Sequence, residues 1–374
     1  MTNFINYDDI TGLHLELTTK CNASCPMCNR NYKGKLRKNL SMTELSLDDV
    51  KKVLDVDFIR KLKLISLCGV FGEPTCNSDL LEILTYIYSI NENVVINIYT
   101  NGSTHDSEWW KNLAQVHKNG SVIFGIDGLE GVSELHRRGT NFKKVISNAK
   151  SYIDAGGNAK WDYIVFKHNE HQVKESEALS RKLGFKDFQI KKTSRFFKNI
   201  YENDESLDSV ILGYGSHPVY DCNGNFLYDI ELPENKDYRN GSEDSIFEMI
   251  KEYGDFNSYL NSVEIDCHSV RSNGIFISAF GEVYPCCTVY QQVCYGTIFG
   301  VKDPTELNEY NIYLKYNISG FNHSIRSIVE GPFFKDISSS FEIDGIENGK
   351  CKSCSRTCGK NINMHKSGHT KKDF

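Results

Sequence analysis

From Leu13 to Ile190, short apolar runs alternate with longer stretches of helical periodicity, and this alternation restricts the fold more than any other feature of the sequence. The runs LHLELT, LKLISL, VVINIYT, SVIFGID, KWDYIVF and DFQI read as strands. Strands separated by helix-length segments are joined by crossovers rather than tight turns, which makes a parallel sheet of repeated βα units. Of the intervening segments, SLDDVKKVLDVDFIRK opens on a Ser followed three residues later by Asp, a helix-start pattern, and NFKKVISNAKSYIDAGG stops at paired glycines. Six βα units fit residues 8–195. They predict an α/β fold, as an open doubly wound sheet or a partial barrel. In both, ligands lie at the carboxyl ends of the strands, so site residues should follow strands.

The rest of the chain reads differently. Residues 196–262 are rich in Asn, Asp, Glu, Ser and Gly with little periodicity, and are expected to be a linker or insertion. Residues 263–360 are cysteine-rich and are expected to form a smaller α+β domain, with GIFISAFGEVYP as two short strands about an Ala-Phe-Gly turn; residues 361–374 form a basic tail. A chain of 374 residues with 40% apolar content can bury a core and has length for more than one domain. Its net charge of −6 lacks the Lys/Arg surplus of a general nucleic-acid binder. No signal-peptide pattern opens the chain and no apolar run approaches the roughly 20 residues of a membrane helix, so a cytoplasmic location without membrane partners is expected. Thirteen cysteines are odd in number, so closed disulfide pairing leaves one over, whereas metal or redox use does not require pairs.

The cysteine spacing is specific. TTKCNASCPMCNRN, directly after the first strand, sets Cys21, Cys25 and Cys28 in a C-x3-C-x2-C array. An iron–sulfur cubane takes four outer ligands, so three from one loop leave an iron open, and an open metal position is where chemistry occurs. A structural zinc site completed by His14 or a distant cysteine is the alternative. After the next strands come CGVFGEPTC, IYTNGST, GIDGLEGVSELHRRGTNF and VFKHNEHQ, one motif per strand end.

With these motifs in this order the chain resembles the radical S-adenosylmethionine (SAM) superfamily. The resemblance implies a partial (β/α)6 TIM-like barrel whose [4Fe–4S] cluster is held by Cys21, Cys25 and Cys28. Its open iron would chelate the amino and carboxylate groups of SAM. One electron from the cluster would then release methionine and a 5′-deoxyadenosyl radical that abstracts a substrate hydrogen. Gly72, Glu73 and Pro74 are similar to the family's Gly-Gly-Glu-Pro motif, with Phe71 in place of the first glycine, and would meet the SAM ammonium. Read from the residues alone, they are a turn into a helix with Pro at its first position. Thr100 and Asn101, with Gly102, occupy the place of ribose or methionine contacts. Asp127 and Arg138 resemble the stretch S-x-D-G…R-G-x-x-F, in which Arg138 would reach the ligand carboxylate, with Arg137 as the neighbouring alternative. Gly125 stands where a serine is common, and Met27 where an aromatic residue is. Asn169 and Glu170 resemble a segment of members that carry an additional cluster domain.

Cys267, Gly281, Cys286 and the run CKSCSRTCG with Cys351, Cys354 and Cys358 resemble the SPASM and Twitch extensions of that superfamily. A full SPASM domain uses seven cysteines and five match here, which implies one auxiliary [4Fe–4S] cluster, as in a Twitch domain. Cys267, Cys286, Cys351 and Cys354 are its expected ligands, with Cys358 as the substitute. A zinc knuckle shares this spacing. The expected function is hydrogen abstraction from a small molecule or peptide, with the auxiliary cluster assisting oxidation and a flavodoxin- or ferredoxin-type protein donating electrons. A peptide substrate usually brings a separate leader-binding domain at the N-terminus, and the dozen or so residues before the first strand tilt the expectation towards a small molecule or a substrate recruited without such a domain. A peptide- or protein-modifying maturase and a non-catalytic zinc protein are the alternatives.

Overall fold

The computed structural model describes residues 4–193, 195–196, 215–240, 249, 251–297 and 308–360. Six parallel strands follow one another: β1 (Gly12–Leu15), β2 (Leu64–Leu67), β3 (Val95–Thr100), β4 (Gly120–Gly125), β5 (Ala159–Ile164) and β6 (Asp187–Lys191). Five crossovers join them, carrying α1 (Leu47–Val53) and α2 (Val56–Lys61), then α3 (Leu80–Ile90), α4 (Ser107–Val116), α5 (Phe142–Asp154) and α6 (Val173–Leu183). The strands pair in sequence order, with Leu13 beside Ile65, Ile98 beside Val122 and Trp161 beside Phe188. This is the partial TIM-like barrel of the α/β class. A helix after β6 would fall largely outside the described residues.

Alternation along each strand gives the sheet two unlike faces. Leu13, Leu15, Ile65, Leu67, Ile96, Ile98, Val122, Phe124, Trp161 and Tyr163 are buried in one continuous core with the helices. The intervening positions, among them His14, Ser66, Asn97, Tyr99, Asp162 and Lys191, turn to the lumen, and most are polar. A face that bound no polar ligand would not need those residues.

Local signals explain the helix limits. Ser46 and Asp49 form a reciprocal capping box at α1. The single helix expected over residues 46–61 is two, because Leu54 is extended and Asp55 caps Phe58 N at 2.7 Å, restarting the helix as α2. The α5 helix ends before Gly156, whose φ of +94° favours glycine.

The C-terminal hairpin, expected as two short strands, is joined to the barrel sheet. Its strands, β9 (Gly274–Ile277) and β10 (Val283–Tyr284), extend the barrel sheet, β9 pairing in parallel with β1 from Gly12↔Gly274 to Leu15↔Ile277. The eight-stranded order is β10-β9-β1-β2-β3-β4-β5-β6. Without β9, β1 would be an exposed edge presenting unpaired N–H and C=O groups. The described residues of 263–360 therefore share the barrel's core, in which Phe276, Tyr284, Phe333 and Ile337 are buried.

Within the segment expected as a linker, β7 (Ser216–Tyr220) and β8 (Phe226–Glu231) form a hairpin. It packs Val219 and Ile230 with Met27, Phe166 and Phe196 in a second, smaller apolar cluster. The basic stretch 361–374 lies outside the described residues. Among the described residues no helix is long and apolar enough to cross a membrane.

Candidate active site and the C-terminal cysteines

The cysteine loop leaves the end of β1 and is braced on several sides. Cys28 N donates to Cys25 O at 3.1 Å, closing a turn, and Ser24 N donates to Arg138 O at 2.8 Å. Cys21 Sγ accepts from Ala23 N at 3.4 Å and has Asn101 Nδ2 at 3.9 Å. N–H groups aimed at sulfur are among the means by which a protein tunes a cluster. Burial pushes the Cys25 thiol up to about 11 despite the nearby Arg137 charge, so deprotonation calls for a metal's charge. Among the described residues no three His, Cys, Asp or Glu side chains suit a single metal ion. A cubane binds each thiolate to a different iron and does not require that convergence. Three half-buried thiols on a backbone with N–H donors are a suitable donor set for it.

The Gly-Glu-Pro turn lies directly against this loop. Glu73 N donates to Lys20 O at 2.8 Å, and a Cβ on Gly72 would stand 1.6 Å from Thr18 O, so only glycine permits the approach. Glu73 is buried and its carboxylate is fully engaged: Oε1 accepts from Thr75 N and Oγ1 at 3.2 and 2.8 Å, and Oε2 from Asn101 N at 2.8 Å. It caps the short 3-10 turn Pro74–Cys76, with Pro74 at the first position. The turn reading and the site reading thus describe the same residues. Thr100 Oγ1 accepts from Gly102 N at 2.9 Å, and Asn101 links to Asn22 on the cysteine loop at 2.9 Å. Cys21, Glu73, Thr100 and Asn101 are therefore one contiguous group.

At the end of β4, Asp127 is wholly buried. Oδ2 accepts from Arg137 Nε at 2.5 Å and His136 Nδ1 at 2.7 Å, and Oδ1 accepts from Ile164 N at 2.7 Å. Burial by itself would raise its carboxyl, but the Arg137 charge and the His136 hydrogen bond outweigh that and hold it well below the usual carboxylate range. Of the two neighbouring arginines, Arg137 is the one bonded to Asp127. Its guanidinium lies over Gly125, where a Cβ would meet Nη2 at 2.7 Å, and the serine common at that place would crowd it. Arg138 instead donates from Nη1 to Tyr228 Oη at 3.2 Å in the β7–β8 hairpin. Asn169 knots the end of β5 to this loop, donating to Asp127 O and Ile164 O, both at 2.9 Å.

Next to Gly125 in the sheet stands Asp162, paired with Lys191 at 3.5 Å. Burial pushes the Asp162 carboxyl up to about 6 against the pull of Lys191 and Arg137. Asp127, Arg137, Asp162 and Lys191 thus form a line of alternating charge from the cysteine loop into the lumen.

The C-terminal cysteines gather on the far side of β1. A cavity of about 610 Å³ has His14, Ser66, Cys68 and Tyr99 on its lumen wall and Cys267, Cys286, Cys354 and Cys358 on the other. Cys351 is buried beside them and donates from Sγ to Glu309 Oε1 at 2.9 Å. Burial pushes the Cys267 thiol up to about 12, with the Cys286 and Cys358 sulfurs close enough to add to the shift. The four thiols on that wall and Cys351 beside them can supply the four ligands of a cubane with one to spare. Of the other cysteines, Cys287 lines the same cavity, Cys76 is half-buried behind Glu73 and Cys222 is exposed.

The sequence reading passes over Glu16 and Arg30. Both lie within a few residues of the cysteine array, Glu16 on the lumen side of β1's alternation, and an acid in so apolar a run was the available signal.

The sequence profile of the Radical SAM superfamily matches residues 15–179, which hold the cysteine loop and strands β2 to β5. Over those residues, somewhat under half of its length, the chain is similar to the radical SAM superfamily. Among curated relatives, a probable GTP 3′,8-cyclase of Thermococcus kodakarensis is 32% identical over 143 residues, 33% of this chain and 42% of that protein. A probable GTP 3′,8-cyclase of Sulfurisphaera tokodaii is 28% identical over 216 residues, 54% of this chain and 62% of that protein. The chain thus spans less than two thirds of the length of these relatives. Among solved structures, Streptococcus suis SuiB bound to S-adenosylmethionine aligns over 96% of this chain and 74% of that one, at 14% identity and a TM-score of 0.54. The anSMEcpe structure with bound AdoMet and the Cp18Cys peptide aligns over 94% and 89%, at 14% identity and a TM-score of 0.52. Both alignments extend past the barrel into the C-terminal residues, and at that identity they bear on the fold alone.

Proposed function

We propose that this enzyme cleaves SAM reductively at a [4Fe–4S] cluster on Cys21, Cys25 and Cys28 and directs the resulting radical at a substrate in the lumen. In this reading a single auxiliary [4Fe–4S] cluster on the C-terminal cysteines assists oxidation. The observation that carries it is the cavity whose one wall is lumen and whose other wall is Cys267, Cys286, Cys354 and Cys358.

When bound, the first cluster supplies the electron that splits SAM into methionine and a 5′-deoxyadenosyl radical. The chain's own residues bind and orient. Gly72 and Glu73 set the turn beside Cys21 for the SAM ammonium, and Thr100 and Asn101 line the adjoining strand end. Arg137, ordered by Asp127, presents the positive charge for the SAM carboxylate in the role first given to Arg138. Met27 and Phe166, under the β7–β8 hairpin, offer an apolar wall beside the loop. Asp162 and Lys191 offer a carboxylate and an ammonium to polar groups of the substrate. Cys267, Cys286 and Cys354 are three of the auxiliary cluster's ligands in this reading. The fourth ligand is Cys351 by its C-x2-C spacing or Cys358 by its place on the cavity wall.

The substrate is a small molecule or a peptide, the electron donor a flavodoxin- or ferredoxin-type protein, and the location the cytoplasm. Residues 263–360 act as a Twitch-like auxiliary domain fused onto the barrel's edge, after the insertion 196–262.

Anaerobic reconstitution followed by counting iron and sulfide, and by assay of 5′-deoxyadenosine with dithionite and SAM, tests this. About eight iron atoms per chain are expected for two cubanes. The triple change Cys21→Ala, Cys25→Ala, Cys28→Ala should halve the iron and abolish 5′-deoxyadenosine. Stoichiometric zinc without sulfide would overturn the reading. GTP supplied in the same assay checks whether the reaction named for the relatives carries over.

A further inference from the structure

The peptide unit between Phe71 and Gly72 is gripped at both ends. Its N–H, with that of Phe71, points to one oxygen: Glu16 Oε1 accepts from Phe71 N at 2.6 Å and from Gly72 N at 3.3 Å. Its carbonyl accepts from Arg30 Nη1 at 2.7 Å, and the same guanidinium also donates to Thr19 O. A carboxylate on the N–H side and a guanidinium on the C=O side match the peptide dipole and fix the tilt of its plane, through charge-assisted hydrogen bonds in a water-poor site. Both side chains are buried, Glu16 completely.

Neither group has another evident task. Glu16 stands one residue beyond β1, its own N–H bonded to Ile277 O at 3.0 Å, so its backbone is fixed by the β9 pairing. Its second oxygen, Oε2, is buried without a hydrogen-bond partner among the described residues. Burial pushes this carboxyl up to about 7, and the N–H groups of Phe71 and Gly72 are the chief influences pulling it back down. Keeping so costly a group is hard to explain by stability alone. What it holds is the turn that abuts Thr18 and Lys20, immediately before Cys21.

We propose that Glu16 and Arg30 are positioning residues that clamp the Phe71–Gly72 peptide from opposite sides and so set the seat for the amino-acid end of SAM relative to the Cys21–Cys28 loop. This rests on the function proposed above. The clamp joins three parts that must keep register: the end of β1, the residue two past Cys28, and the turn after β2. Because Glu16 acts only as an acceptor here, a neutral oxygen of the same reach would serve in part, whereas a methyl group would not.

The test uses the reconstituted enzyme, with SAM as the probe and the change in the reduced cluster's electron paramagnetic resonance spectrum as the readout. Glu16→Ala is expected to weaken SAM binding at least ten-fold with iron and sulfide content retained, and Glu16→Gln to restore it to within about three-fold of wild type. Arg30→Lys, a point charge that cannot span both carbonyls, should weaken binding comparably to Glu16→Ala. Hydrogen–deuterium exchange of residues 69–73 in the wild-type holoenzyme needs no variant, and slow exchange of the Phe71 and Gly72 amides is expected. Glu16→Ala with full cluster content and wild-type SAM affinity would overturn the proposal, as would rapid exchange of those amides. A wild-type cluster whose spectrum ignores SAM would overturn the proposed function and the clamp together, so the two failures are distinguishable.

Discussion

Replacing Asp127 by Asn removes one negative charge from the centre of the site while leaving shape almost unchanged. Asn can still accept from Ile164 N through Oδ1, but its amide NH2 then faces Arg137 Nε and His136 Nδ1, both donors at 2.5 and 2.7 Å in the native protein. The Arg137 side chain is only 20% exposed, so water cannot fully replace the lost partner. Breaking a buried pair by removing one member costs about 3–5 kcal/mol, and a Coulomb estimate for unit charges at 4 Å gives about 4 kcal/mol at an effective dielectric constant of 20. Asp162 lies within electrostatic reach of Arg137 and softens the loss, which places the expectation near the lower bound, about 3 kcal/mol. The pH dependence follows from a folded pKa held below the unfolded one. The contribution of Asp127 is complete above the unfolded carboxyl pKa, about 3.9, and is lost only as pH falls below it towards the folded value. Urea unfolding of the metal-free chain at pH 7.5, followed by tryptophan fluorescence, is a suitable assay because Trp161 Nε1 is bonded to Ile126 O, next to Asp127, at 2.8 Å. A difference below about 1 kcal/mol would show that Arg137 does not depend on Asp127, and would remove the argument for Arg137 as the ordered cation of the site.

Asp162 should behave in the opposite sense. Its folded pKa, about 6, lies above the unfolded value, so its contribution to stability is present at low pH and is lost as pH rises through 6. Asp162→Asn is therefore expected to be neutral or stabilising at pH 8, by at most about 3 kcal/mol, and thermal melts showing a loss of that size would refute it. Gly125→Ser introduces a Cβ 2.7 Å from the Arg137 guanidinium and should cost about 1–3 kcal/mol in the same melts; an unchanged transition would mean that the side chain moves freely. For the auxiliary site, Cys351→Ala and Cys358→Ala are to be compared by iron content after reconstitution. The ligand's variant should lose about four iron atoms per chain and the other none, and equal retention by both would remove this pair from the ligand set.

The sequence made the strand order and the cysteine loop legible because both are local patterns: alternation over a few residues, and fixed offsets within a loop. What it hid is non-local. Nothing in GIFISAF distinguishes a strand that founds its own sheet from one that joins β1 across 262 positions of chain, as Gly12 and Gly274 do. Adjacent arginines cannot be told apart by spacing, whereas Gly125 admits the guanidinium of Arg137 and Tyr228 draws off that of Arg138. Tyr228 belongs to a hairpin in a segment whose composition reads as linker, since a two-stranded ribbon that buries Val219 and Ile230 on one side needs few apolar residues. Glu16 was concealed for a different reason: a buried acid is identified by the N–H groups that meet it, and these come from the turn 55 residues later.

The β1–β9 pairing also changes what the two cysteine groups mean to each other. Cys21 follows β1 and Cys286 follows β10, so each group hangs from the same sheet, and neighbouring strands in a sheet lie about 4.8 Å apart. Their separation is then set by a hydrogen-bonded register rather than by the polar segment that connects them in sequence. Variation in the β7–β8 hairpin can alter what packs against Met27 of the cysteine loop without moving one group relative to the other. A change that breaks the pairing, by contrast, would disturb both at once. Proline at Ile275 removes the N–H of a strand that is otherwise bonded to β1, and it should affect iron retention at both groups together, whereas an insertion after Gly224, in the exposed turn of the β7–β8 hairpin, should affect neither.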